Sequence, residues 1–180
     1  SVHSEARRES DAIALVYNFE TKRDREIVAF LSALLAYGNV KIIQKSIAAV
    51  LIPFEKSPYR WLSDDSNHAD WKGFRHRFTT GEDIQIVVHW LRLALGSHGS
   101  LEAFFCDQKD LQLPMRDLLS NFVIRFTSQP LPLTLQKIRK RRERNLKYLI
   151  SDPLRGSACK RLNMYLRWMV RGPDAVDLGL

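Results

Sequence analysis

In four stretches between Ile27 and Phe126 the apolar residues of this chain recur every three or four positions. Nowhere do they alternate with polar residues over a stretch long enough to require a sheet. Ile27, Phe30, Leu31, Leu34 and Leu35 form one such stripe, and Ile43, Ile47, Val50 and Leu51 a second. Ile84, Val87, Val88, Leu91 and Leu95 form a third; Leu118, Leu119, Phe122, Val123 and Phe126 form a fourth. The punctuation between them is that of helix ends. Asp24 and Glu26 sit in a first turn, where carboxylates suit the positive end of the helix dipole. Gly38-Asn39 and Gly96-Ser97-His98-Gly99 break the pattern, Ser100 caps a short helix, and Pro114 opens another. A weaker capped helix is expected over Asp11–Tyr17, and a short turn from Ser57-Pro58 to Leu62. Asp64 to Thr80 reads as a loop with room for one helical turn, anchored by Trp71, Phe74 and Phe78, and Pro132 to Arg144 has the least defined reading. The prediction is an all-α fold of about seven to nine helices in a single domain spanning residues 1–180.

The stretch from Ser157 to Arg171 reads as a further helix, capped by Ser157 and stopped by Gly172-Pro173. Leu162, Leu166, Met169 and Val170 should face a core. Lys160, Met164, Arg167 and Arg171 fall at i, i+4, i+7 and i+11, which lines cations along another flank. No acidic residue lies between Pro153 and Pro173 to neutralise them. Tyr165 and Trp168 are either a row for stacking on an unpaired base or core, and core is the better reading for Trp168.

Charge sharpens this. The net charge is +8, and it is segregated. Ser1 to Gln136 carries 16 basic and 16 acidic residues, whereas Lys137 to Leu180 carries 12 basic and 4 acidic. Such asymmetry points to nucleic acid or another anionic surface, which gains affinity through the field and through counterion release. No apolar run is long enough to span a bilayer, and Ser1 to Ser10 lacks an export signal, so a cytoplasmic protein without a membrane partner is expected. Cys106 and Cys159 match no metal-ligand spacing and read as free thiols. The chain lacks an initiator Met and stops at Leu178-Gly179-Leu180, so a fragment or processed chain is expected.

The common catalytic signatures are missing. His68, His76, His89 and His98 are scattered, with no HExxH, no C-x-x-C, no glycine-rich phosphate loop and no serine nucleophile elbow. No metal and no cofactor is expected, and His89, next to Trp90, reads as structural. The basic run Lys137, Arg139, Lys140, Arg141, Arg142 and Arg144 suits phosphate contacts; the alternative is a solvated helix surface. Arg161, Arg167 and Arg171 extend the same expectation. Lys160 is the sharpest catalytic candidate. A first-turn position and the neighbouring Arg161 and Arg167 disfavour the ammonium form, and only a neutral amine attacks a carbonyl-like carbon to form a Schiff base. A phosphate ligand is the ordinary alternative for a lysine among arginines.

Asp24-Arg25-Glu26-Ile27, Ala36-Tyr37-Gly38-Asn39-Val40, Arg77-Phe78 and the whole of Ser157 to Arg171 resemble an uncharacterised bacterial family known only as a domain of unknown function. That family is distantly similar to the helix-hairpin-helix superfamily of DNA glycosylases, above all the archaeal 8-oxoguanine glycosylase branch. The resemblance implies a lysine near the start of a late helix that attacks the sugar C1′ after a damaged base is flipped out, and Lys160 stands there. The glycine-bearing hairpin loop of most superfamily members is not recognisable. The assisting aspartate is expected beyond residue 180, because Asp174 and Asp177 lack the flanking pattern.

The leading expectation is therefore a DNA-binding, base-excision glycosylase with lyase activity on an oxidised purine. Lys160 is its nucleophile, and Arg161, Arg167, Arg171 and the Lys137 to Arg144 run are its phosphate contacts. A non-catalytic DNA- or RNA-binding helical protein is the alternative, and a helical scaffold for an acidic protein the third reading.

Overall fold

The computed structural model describes residues 12–107, 111–171 and 178–179. The expected cap at Asp11 and the stop at Gly172-Pro173 lie outside them, as do Asp174 and Asp177. Among the described residues the regular elements are helical apart from one two-stranded hairpin, and the chain divides into two compact units. One unit combines residues 1–61 with 160–180; the other is residues 62–159.

The first unit is built on α1 (Lys22–Leu35), buried along almost its whole length from Glu26 onward. A 3₁₀ turn, Ala12–Asn18, packs against it together with α2 (Val40–Leu51) and α8 (Lys160–Val170). Thr21 caps α1 by accepting from Asp24 N at 3.1 Å. Asp24 does more than complement the dipole. It is buried, and its Oδ1 accepts from Ser57 Oγ (3.0 Å) and Tyr59 N (2.9 Å), tying the start of α1 to the start of α3 (Pro58–Ser63). Asn39 caps α2, so the bend expected at Tyr37-Gly38-Asn39 is present, with Gly38 at φ 112°.

The second unit opens with β1 (Arg75–His76) and β2 (Thr79–Thr80), an antiparallel pair inside the segment expected to be loop. It continues through α4 (Gly81–His98), α5 (Leu101–Cys106), α6 (Met115–Thr127) and α7 (Leu133–Leu149). An aromatic cluster fills its core: Phe122 stacks on Phe126 at 5.6 Å, with Phe104 and Trp90 edge-on to Phe126. α4 runs through the expected break and ends at Gly99, whose φ of 77° suits the left-handed cap. α7 is a single helix where the sequence left the pattern undefined. Its Leu, Gln, Lys, Arg and Glu residues are good helix formers, but only Leu146 and Leu149 are fully buried, so its apolar stripe is faint.

Two expectations about the last helix are corrected. α8 starts at Lys160, not at Ser157. Ser157 Oγ accepts from Cys159 N (3.1 Å) and donates to Ser151 Oγ (2.9 Å), while Cys159 lies in the left-handed region at φ 45°, which holds the chain outside the helix until the next residue. The buried face is Leu162, Tyr165, Trp168 and Met169; Leu166 is only half-buried and Val170 is exposed. A stripe centred on Leu162, Tyr165 and Met169 turns Val170, one position on, toward solvent.

Candidate nucleic-acid interface

α7 carries six of the expected phosphate ligands, and the helix distributes them over different faces. Arg142 points inward. Its Nε donates to Asp83 Oδ1 at 3.0 Å and its Nη2 to Asp83 Oδ2 at 2.5 Å, while Nη2 also donates to the carbonyl of Phe78 at 2.8 Å. Asp83 is fully buried and is itself the third residue of α4, where its carboxylate accepts from Thr80 N (2.8 Å) in a capping box. The hydrogen bonds from Arg142 to Asp83 hold the guanidinium above its already high ordinary pKa. Arg142, expected at a phosphate, is instead committed to this buried pair.

Arg139 turns a different way. Its guanidinium lies 5.6 Å from the ring centroid of Trp90, beside a cavity of about 530 Å³ that Glu143, Lys147, Asp152 and Arg155 also line. Glu143 accepts from Lys147 Nζ at 2.5 Å, and that bond holds its carboxyl below the usual range. Arg141 pairs with Glu82. That leaves Lys137, Lys140 and Arg144, all exposed and without a carboxylate partner among the described residues. Lys137, Arg141, Arg144 and Tyr148 fall at i, i+4, i+7 and i+11 and share the outward face, with Lys140 beside Arg144.

The cations of α8 belong to the other unit. Lys160 is its first residue and is exposed; no ion pair reaches it among the described residues. Arg161 lies over the ring of Tyr37 at 5.2 Å. Arg167 and Arg171 are exposed along the flank that begins at Lys160. Tyr165 and Trp168 are buried, Tyr165 edge-on to Phe30 at 5.4 Å, so both are core and neither is a stacking surface.

Comparison with known families places the chain. The pattern of a family described as a protein of unknown function (DUF2400) matches residues 11–180. The chain belongs to that family. No curated protein and no solved structure matches the DUF2400 chain.

Several further titratable groups make hydrogen bonds within the fold. His89 Nε2 lies 3.1 Å from the carbonyl of Pro130, and burial pushes its pKa below the ordinary 6.5. His98 bridges Ser97 and Asp107, and its hydrogen bond, backed by Arg125, lowers the Asp107 carboxyl. Cys106 is exposed and Cys159 buried, both free; the Cys159 thiol donates to the carbonyl of Ser151. No group of three or more His, Cys, Asp or Glu residues is placed to hold a metal among the described residues. No helix among them is long and apolar enough to cross a membrane.

Two residues escaped the sequence reading. Phe78, expected as an anchor of its loop, is 56% exposed, and Tyr148 is 48% exposed beside it. A faint signal was there: Phe78 lies between Arg77 and two threonines in a polar stretch, a poor setting for a core residue.

Proposed function

We propose that this protein binds nucleic acid, DNA in the first instance, through the outward face of α7. The observation that carries the reading is the trio Lys137, Lys140 and Arg144, exposed on that face with no carboxylate partner among the described residues. Cations spaced i, i+4 along a helix repel one another slightly and gain most from a polyanion, which relieves that repulsion and whose condensed counterions they displace. Phosphate contacts of this kind position a protein on a strand without reading its sequence. The test is a salt titration of binding to a labelled duplex. Replacing all three with Gln lowers affinity and flattens the plot of log K against log salt by about 0.9 for each phosphate no longer neutralised. An unchanged slope overturns the assignment of this face.

A second reading, that the protein is a DNA repair glycosylase with lyase activity, is favoured by Lys160, an exposed amine at the first position of α8. Such an amine, when neutral, adds to the C1′ aldehyde of an abasic site and expels water, forming an imine. Borohydride then delivers hydride to the C=N bond and leaves a stable secondary amine joining protein to DNA. Lys160→Gln removes the nucleophile. Covalent trapping by the wild type and none by the variant, at equal DNA affinity, supports the reading; equal trapping by both overturns it. A scaffold for an acidic protein would bind neither probe.

A further inference from the structure

The hairpin that precedes α4 is held in an unusual way. Its tip residue Arg77 adopts φ 52°, a region a bulky side chain rarely enters. The next carbonyl, that of Phe78, accepts two hydrogen bonds from α7, one from Arg142 Nη2 at 2.8 Å and one from Asn145 Nδ2 at 2.9 Å. Because Arg142 is itself fixed by buried Asp83, the tip is anchored to the helix through a charged group in a defined place. At the other end, Gly81 N donates to the carbonyl of Phe74, closing the base of the hairpin.

This anchoring does not bury the aromatic side chain; it displays it. The rings of Phe78 and Tyr148 meet edge to face at 5.9 Å and 84°, and each is about half exposed. Cations surround the pair. Arg77 lies 5.7 Å from the Phe78 centroid, Arg75 Nε donates to the carbonyl of Arg77, and Arg144 stands one helical turn before Tyr148. Arg75, Arg77 and Arg144 are exposed and pair with no carboxylate among the described residues. A protein partner would call for a broader apolar patch, and an isolated phosphate would need no rings. Two half-exposed rings within a border of cations suit a strand whose bases are free to stack while its phosphates meet the arginines.

We propose that Phe78 and Tyr148 form a stacking platform for unpaired bases of single-stranded DNA, with Arg75, Arg77 and Arg144 as its phosphate contacts. This deepens the nucleic-acid reading above and rests on it. The platform adds a preference that a purely cationic face lacks, because bases paired and stacked in a duplex do not offer their faces to a protein ring.

The test uses the whole chain and two fluorescein-labelled probes, an oligothymidylate of about 15 nucleotides and a mixed-sequence duplex of similar length. The variant Phe78→Ala/Tyr148→Ala alters exposed side chains and leaves the carbonyl clamp in place; an unchanged thermal melt checks that it folds. It is expected to weaken oligothymidylate binding about 10- to 100-fold, with duplex binding changed less than about twofold. Phe78→Trp retains single-strand binding, and the emission of its indole is quenched when thymine stacks on it. Arg75→Gln/Arg77→Gln lowers the salt slope on the single strand. Wild type and double-alanine variant binding oligothymidylate equally overturns the platform and leaves the nucleic-acid reading standing. Wild type binding neither probe overturns both.

Discussion

Arg142→Met separates the structural member of the basic run from the others. The methionine keeps most of the stem and removes the guanidinium, which leaves Asp83, its side chain 1% exposed, with only the Thr80 donors. Removing one partner of a buried pair costs about 3–5 kcal/mol, mostly because the other charge remains without compensation. The Arg142 side chain is 19% exposed, so water reaches part of the vacated space, and the lower end, about 3 kcal/mol, applies. For a chain of this size that amounts to a fall in Tm of about 6–12 °C. The assay is thermal unfolding followed by circular dichroism, with Arg144→Met as the control, expected within about 0.5 kcal/mol of wild type. Asp83→Asn, alone and added to Arg142→Met, completes a double-mutant cycle. In the Arg142→Met background Asp83→Asn removes the stranded charge while an amide oxygen still serves the cap, so the double variant is more stable than Arg142→Met alone. An Arg142→Met protein that melts with the wild type, or an Arg144→Met protein that falls as far, refutes the partition of the run.

Two further outcomes test the same unit. Gly81→Ala places a methyl group well inside contact distance of the Trp71 backbone carbonyl, which cannot move without disturbing the base of the hairpin, so a loss of about 1–3 kcal/mol is expected by chemical denaturation; a neutral substitution contradicts the packing. His89, whose folded pKa lies below its unfolded 6.5 because of burial, takes up a proton on unfolding, so its contribution to stability is complete above 6.5 and declines as pH falls from there toward the depressed folded value. His89→Gln removes that titration, and the difference between the two proteins' urea midpoints at pH 7 and at pH 5 checks it.

The sequence revealed the helices wherever burial was one-sided and deep. α2, α4 and α6 carry apolar residues at helical spacing because each lays one face on a core, and α1, buried on every side from Glu26 onward, keeps that spacing because Ala29, Ser32 and Ala33 separate its large residues. α7 did not show itself because it packs through Leu146, Leu149 and the polar contacts of Arg142, which no apolar period records. The hairpin was invisible for a related reason: with strands of two residues it has too little length to alternate. Charge segregation identified α7 and α8 as the basic elements, but a run of cations says nothing about which of them meets a buried carboxylate. That depends on Asp83, more than fifty positions earlier, and only the fold brings the two together.

Arg142 therefore links stability and the proposed interface in a way that governs how variants must be interpreted. It neutralises the Asp83 cap at the start of α4 and at the same time holds the carbonyl of Phe78, so the position of the hairpin tip depends on it. A charge-removing substitution there would weaken nucleic-acid binding even if the guanidinium never touches a phosphate, because the aromatic pair would be left with one of its two anchors. The two roles separate by their salt dependence. On a single strand, deleting a phosphate ligand lowers the slope of log K against log salt by about 0.7, whereas a displaced stacking platform lowers affinity with the slope preserved. Arg142→Met, assayed on oligothymidylate below its melting transition, should weaken binding at an unchanged slope, and Arg144→Gln should change the slope at an unchanged Tm. If Arg142→Met lowers the slope instead, the guanidinium reaches a phosphate after all, and its pairing with Asp83 has to yield when the strand binds.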